Sequence, residues 1–338
     1  MLDRLRQERP LLSPAEQRVA DYVLDNPQTV MRAAVADIAR QAGAFVLERN
    51  DAERRGKGHA LDFAFRSLAD LGYSWFIVID ADSVVSRGFL AAMRQGMQHQ
   101  RNAVQASYLS RPARSLRGRL VRFAQFGFNH IRPLGRSRLG VSAGLFGNGF
   151  ALRAQLLEKL PYRAHSVVED LEYHLDLVSF GEQVHFVPEA LVLGEIAESA
   201  GGAASQRTRW EGGRLRILRE RSAGLLRDLL QGKENRLEVL SDLLLLPLGL
   251  HVALLLAGLA GGLLGKFAAG FGGLALLLYI AAIFLRAPAR RSDCLALAAA
   301  PFYVLWKLSL LPATLLNSRR SANWVRAERA AEQKLTRS

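Results

Sequence analysis

The sequence predicts an α/β core followed by helices that enter a membrane. Three observations carry this. A short apolar run, Phe76-Ile77-Val78-Ile79, follows Tyr73-Ser74-Trp75 and ends in Asp80-Ala81-Asp82. Segments with helical periodicity flank that run. From Leu237 to Leu316 the composition turns to Leu, Ala and Gly.

The run at 76–79 reads as a strand buried on both faces. Open α/β sheets place their ligands at the carboxyl ends of strands, which is where Asp80 and Asp82 stand. Two hard oxygen ligands one residue apart suit a Mg²⁺ or Mn²⁺ that also holds phosphate oxygens. Taken alone, the pair also reads as a strand-end turn with solvated acids.

Upstream, Arg54-Arg55-Gly56-Lys57-Gly58 precedes a helix with Leu61, Phe65, Leu68 and Leu71 at helical spacing, and Gly72 is its stop. A Gly-Lys-Gly at a helix N-terminus approaches phosphate with backbone N–H groups and an ammonium; the other reading is a plain basic turn. Downstream, Gly147-Asn148-Gly149-Phe150-Ala151-Leu152-Arg153 reads as a tight glycine turn into a helix or strand. In Val167-Val168-Glu169-Asp170-Leu171-Glu172, Asp170 is a candidate to take a proton from an attacking hydroxyl, and an acid-rich helix start is the alternative. In Gln206-Arg207-Thr208-Arg209-Trp210, an arginine suits a departing pyrophosphate and the tryptophan a sugar ring. Snorkelling beside a membrane is the competing reading there. The segment from Arg214 to Leu230 reads as an amphipathic helix at a membrane surface.

Leu243–Leu264 and Phe267–Leu285 are each long enough for a hydrocarbon core, which takes about 20 residues. Arg214, Arg216, Arg219, Arg221, Arg227, Lys233 and Arg236 precede the first span, and Arg286, Arg290 and Arg291 follow the second. Both flanks are therefore expected in the cytoplasm, with the Lys266 loop outside. Cys294–Leu316, with Pro301, Trp306, Lys307 and Pro312, reads as an interfacial segment or a third span, ahead of a basic cytoplasmic tail over 317–338. A net charge of +14 suits nucleic acid or an anionic membrane surface. The arginines flank the apolar segments, so membrane lipids are the expected partner and nucleic acid is set aside. Cys294 is the single cysteine, so no disulfide forms within the chain, and no zinc spacing occurs. The opening MLDRLRQERP has no apolar stretch of the kind a cleavable signal peptide carries.

The order Lys57-Gly58, Asp80-x-Asp82, Gly147-x-Gly149, Glu169-Asp170, Gln206-x-x-Arg209-Trp210, then apolar spans, resembles the membrane-bound family 2 glycosyltransferases, in the branch that includes cellulose synthase-like and poly-N-acetylglucosamine synthase-like enzymes. The resemblance covers about residues 43–330. It implies an α/β GT-A (Rossmann-like) core over 43–235 and a membrane region over 236–316. It also implies a nucleotide-sugar donor, usually UDP-linked, a divalent Mg²⁺ or Mn²⁺, inversion at the anomeric carbon and a lipid or saccharide acceptor. Carried over, Asp80 contacts the uridine diphosphate and Asp82 ligates the metal with Asp80 beside it. Asp170 is the general base, with Glu169 next to it. Lys57 lies near the nucleotide, and Arg209 on the diphosphate. Gln206, Trp210, Gly147 and Gly149 belong to the acceptor side. The expected location is the bacterial inner membrane, multi-pass, with the catalytic domain in the cytoplasm.

The N-terminus departs from that family, whose first strands and base-binding loop are missing. Ser13-Pro14-Ala15-Glu16 is a capping box with Pro at the first helical position. Val19, Tyr22 and Val23 follow at helical spacing, Asn26-Pro27 stops the helix, and 35–41 makes a second short one. This stretch resembles the start of the RpiR-type helix-turn-helix regulators and ends where the recognition helix would begin. Residues 1–42 and the remainder thus read as two incomplete modules, joined as a fusion or by a frameshift or mis-called start, with transfer chemistry impaired. The alternative functions are a sugar-responsive transcriptional regulator and a catalytically inactive membrane pseudo-glycosyltransferase.

Overall fold

The computed structural model describes residues 43–316, except 52, 99, 113–114, 195–199, 233–234, 245–247, 287–296, 311 and 315. Nearer the N-terminus it describes residues 6, 9–11, 14–25, 37 and 39–40. The expected helix with proline in its first turn is present as α1 (Pro14–Asp25). The expected second helix at 35–41 lies largely outside the described residues, as does the basic tail. Residues 44–51 run without regular structure, and Phe45 is exposed.

The core is a mixed five-stranded sheet ordered β1 (Trp75–Val78), β4 (Phe150–Arg153), β3 (Ala103–Ser110), β5 (Val184–Gly194), β2 (Val84–Val85). Only β3 and β5 run parallel; the other neighbours are antiparallel. This corrects the expectation for β1. It lies at one edge of the described sheet, and its side chains other than Val78 are only half-buried. Both of its faces are packed nonetheless, Phe76 and Val78 on one core and Trp75 and Ile77 on the other.

Side chains alternate across the pleat, as a period of two requires. Phe150 and Leu152 of β4 face a core shared with Phe65, Leu156, Tyr162, Tyr173 and Leu177. Ala151 between them faces the opposite core, with Phe89, Met93, Val104 and Val192. Helix α2 (Lys57–Leu68) and α7 (Glu169–Phe180) pack on the first side and α3 (Phe89–Gly96) on the second. Around the sheet come α4 (Leu116–Phe126), a π-helical turn (Gly127–Ile131), α5 (Arg132–Arg138) and α6 (Ala154–Lys159). At Gly72 the backbone turns left-handed, as expected for the stop after α2.

Beyond the sheet run α8 (Ala200–Leu230), α9 (Asn235–Leu244), α10 (Leu248–Ala260), α11 (Leu263–Arg286) and α12 (Ala300–Ser309). Leu243 and Val239 of α9 are buried against Val168, Leu175 and Ile217. A continuous span over 243–264 is therefore corrected: Leu243 belongs to the globular core, and the apolar helix that follows has 13 residues. Among the described residues only α11, of 24 residues, is long and apolar enough to cross a membrane. Lys266 lies inside α11 rather than in a loop. The turn falls at Gly261-Gly262, and Gly258 and Gly265 let α10 and α11 approach closely, since a Cβ on Gly265 would meet the Gly258 carbonyl at 2.8 Å.

Candidate active site

Lys57 opens α2. Its helix begins at Gly56, whose φ of 126° suits glycine. Gly58 must also be glycine, because a Cβ there would meet the Ala164 carbonyl oxygen at 2.0 Å. These two positions aim the Lys57 ammonium inward. It pairs with Asp80, at the end of β1, and donates to the Gly147 carbonyl. The Gly-Lys-Gly and Asp-x-Asp motifs are thus parts of one site.

The turn 147–149 closes it. Gly147 and Gly149 both have φ of 71°. A Cβ on Gly147 would sit 3.1 Å from Asp170 Oδ2, whereas one on Gly149 would strike Val192 at 2.8 Å. The two glycines therefore differ in job: Gly147 gives Asp170 room, and Gly149 lets the turn lie on the sheet. Asn148 between them is buried, accepts from the Asp80 backbone N–H at 3.1 Å and donates to Ser83 Oγ at 2.8 Å. Gln105 on β3 in turn donates to the Asn148 carbonyl at 2.8 Å and accepts from the Phe146 N–H at 3.0 Å. Sequence reasoning missed Asn148 and Gln105 as supports. Their signal was present for Asn148, flanked by two glycines, and absent for Gln105.

Tyr108, also missed, brings its phenol to the same place. Burial raises its hydroxyl above the ordinary value, Asp80 adds to that, and Asp82 and Asp170 contribute further. Its ring explains Gly194, where a Cβ would lie 2.7 Å from the Tyr108 oxygen. Asp82 itself is exposed, at the turn between β1 and β2.

Glu169 and Asp170 start α7, at the positive end of its dipole. The structural and chemical readings of these acids coexist. Burial, with Asp170 adjacent, pushes Glu169 up to about 8. Asp170 is raised as well, chiefly by burial, while the Leu171 N–H, Lys57 and Arg214 favour its charged form. Both carboxyls are thus pushed towards their protonated forms, and Asp170 has the neighbours that favour its charge.

The last motif lies on α8. Arg209 is half-buried and within electrostatic reach of Glu169. Trp210 is 48% exposed, its ring open for contact. Gln206 lies on the same helix one turn earlier. The structure so brings Lys57, Asp80, Gly147, Asp170, Glu169 and Arg209 to one place; Asp82 is exposed two residues after Asp80, and Trp210 is exposed on the helix that carries Arg209.

The Lys307 ammonium is buried and pairs with Glu211 at 2.7 Å. Arg207 also stacks over Tyr303, 5.3 Å from the ring centre. Helix α12 thus clasps the turn of α8 that carries Arg209 and Trp210.

Among the described residues, no group of three or more His, Cys, Asp or Glu side chains is arranged to hold a metal. The donor set on offer is Asp80 and Asp82, with Asp80 shared by Lys57. That fits a Mg²⁺-type cation, which binds through one or two carboxylates and completes its shell with substrate phosphates and water.

The family described as glycosyl transferase family group 2 matches residues 75–311. No curated protein matches the chain. Among solved structures, the mannosyltransferase of Pyrobaculum calidifontis in complex with GDP-Man and Mn²⁺ aligns at a TM-score of 0.45 and 18% identity, covering 88% of this chain and 75% of that one.

Proposed function

The chain belongs to glycosyl transferase family group 2 and is a glycosyltransferase, and on that premise we propose that it moves a sugar from a nucleotide-diphosphate donor to a lipid or saccharide acceptor in a single displacement with Asp170 as base. The observation that carries this is the convergence on Gly147. Its carbonyl takes the Lys57 ammonium that also pairs with Asp80, and its Cα faces Asp170. A phosphate-seeking cation and a candidate base therefore share one small turn.

In this reading the acceptor hydroxyl lies against Asp170 and gives up its proton as its oxygen bonds to the anomeric carbon. The bond from that carbon to the diphosphate oxygen breaks on the opposite face, so configuration inverts. Lys57 and Arg209 meet the negative charge that leaves with the diphosphate. A Mg²⁺ or Mn²⁺ held by Asp82 and Asp80 would add Lewis-acid neutralisation of that leaving group. Glu169 stands beside Asp170, and burial favours its neutral form. Trp210 offers a flat apolar face for an acceptor sugar, with Gln206 on the same helix.

The membrane proposal is narrower than the sequence suggested. We place α11 across a bilayer, with α10 against it, α12 against α10 and the sheet domain, about residues 43–235, in the cytoplasm. An apolar helix whose side chains are mostly exposed supports this. The motif order ahead of apolar helices supports the cellulose synthase-like branch.

The test is a donor screen. Membranes containing the chain are given UDP- and GDP-sugars with Mg²⁺ or Mn²⁺, and nucleoside diphosphate release is followed. Release that depends on both Asp82 and Asp170 supports the reading. Release unchanged by Asp82→Ala and Asp170→Asn would remove it.

A further inference from the structure

A second charged cluster lies behind the first, and the transfer reaction as described does not use it. Asp242 of α9 is buried, its side chain 4% exposed. Its Oδ1 accepts from Arg132 Nη1 and Arg136 Nη1, each at 3.0 Å. Its Oδ2 lies 3.2 Å from His174 Nδ1. The backbone carbonyl of the same residue accepts from Arg214. Glu238, one turn earlier, accepts from Arg136 Nη2 at 2.8 Å and from the Ser142 N–H at 2.6 Å.

The histidine's tautomer follows from its neighbours. Ser142 Oγ accepts from the Val184 N–H at 2.9 Å, so its own proton goes to His174 Nε2, 3.0 Å away. That leaves Nδ1–H to donate to Asp242. Burial holds His174 down to about 4, so the imidazole is neutral at physiological pH.

His174 stands one helical turn after Asp170 on α7. Arg214 stands five residues after Arg209 on α8, and its charge reaches Asp170. One buried carboxylate and its own backbone carbonyl thus hold the helix of the base and the helix of the arginine. Three guanidinium groups are set against two carboxylates, Asp242 and Glu238, and Asp170 lies at the edge of the surplus positive charge. A buried charge left without partners is costly, so these bonds fix the helices in one arrangement.

Resting on the assignment of Asp170 as base, we propose that Asp242 is a positioning residue for sugar transfer: through His174 and Arg214 it registers the Asp170 helix against the Arg209 helix, so that docking of α9 completes the active site. α9 is also the last helix before the apolar ones. Seating of the membrane-proximal segment and competence of the base are then one event.

The experiment uses the full chain in detergent micelles or vesicles. Binding of uridine diphosphate and guanosine diphosphate with Mn²⁺ is measured by calorimetry, and turnover on the donor found by screening is measured in the same preparation. Lys57, Asp80 and Asp82 lie on other elements and only Arg209 lies on the registered helix, so Asp242→Asn is expected to weaken nucleotide binding by less than about tenfold while kcat falls about 100-fold, the scale of a small misplacement of a catalytic group. Arg214→Met tests the second arm. The groups that face Asp170 are Glu169, Lys57 from α2, Tyr108 from β3, Arg214 from α8 and Tyr162. With Lys57 retained and Arg214 gone, the carboxyl loses one favourable charge, so the acid limb of kcat moves to higher pH. Wild-type turnover in Asp242→Asn overturns the inference. So does parallel loss of nucleotide binding and kcat, which marks Asp242 as a support of the fold alone. Wild-type turnover in Asp170→Asn overturns it by a different route, by removing the base itself, and is distinguished by that variant.

Discussion

Two aspartate–cation clusters stand one behind the other in this chain, and they differ in access to water. Lys57 and Asp80 pair with side chains 30% and 36% exposed. Asp242 meets Arg132 and Arg136 with side chains 4%, 17% and 14% exposed. The open pair can exchange partners: a diphosphate can take the ammonium and a cation the carboxylate, with water compensating whichever is freed. The closed cluster cannot, because each charge released would remain buried. The same chemistry therefore binds ligand in one place and holds helices in the other.

The largest effect is expected at the open pair. Lys57→Met removes a charge that meets phosphate, and kcat/KM should fall by about 10²-fold, with the melting temperature little changed. Initial rates across a donor titration, set beside a thermal melt, check both halves. A melt lowered by as much as in Asp242→Asn would erase the distinction between the clusters.

The glycines sharpen it at the next scale. Gly147→Ala strains a left-handed turn, at about 1–3 kcal/mol, and puts its methyl against Asp170 Oδ2. Gly149→Ala carries the same backbone strain and also strikes Val192 in the core. Turnover should suffer more than stability in Gly147→Ala, and stability more than turnover in Gly149→Ala. Kinetics and melts of the two variants side by side decide this.

A smaller effect concerns pH. Glu169 is raised to about 8 from an ordinary 4.5. A carboxyl raised in the folded state supports stability fully below its unfolded value, and that support is lost as pH climbs through the folded one. The wild-type melting temperature should therefore drop between pH 5 and pH 9, and Glu169→Gln should flatten the drop by roughly 5 °C. Melts across that range give the answer, and parallel curves for the two proteins would count against a buried, protonated Glu169. The smallest effect is at an exposed pair, Arg216 and Glu220, with side chains 41% and 51% accessible. Arg216→Ala should shift stability by less than about 0.5 kcal/mol, read from a denaturant titration.

The open cluster was largely legible in the sequence, because each of its parts is a run of neighbours: Gly56-Lys57-Gly58, Asp80-Ala81-Asp82, Gly147-Asn148-Gly149, Glu169-Asp170. The closed cluster was not. Asp242 meets Arg132 across 110 positions, and nothing local marks either residue. Leu243 misled for a related reason. Apolar side chains leave water equally for lipid or for protein, and only the packing of α9 on Val168, Leu175 and Ile217 tells which. The pairing of Lys307 was hidden too, because Glu211, its partner, lies nearly a hundred residues upstream. The edge position of β1 was hidden likewise, since Phe76-Ile77-Val78 says nothing of what pairs beside it.

The central claim is that Asp170 is the base of a sugar transfer whose donor is held at Lys57, Asp80 and Asp82. Its most direct test is single-turnover transfer by Asp170→Asn, with nucleoside diphosphate binding measured on the same sample. The account predicts unchanged binding and a rate lower by about 10³-fold. Transfer at the wild-type rate, with binding intact, would contradict it.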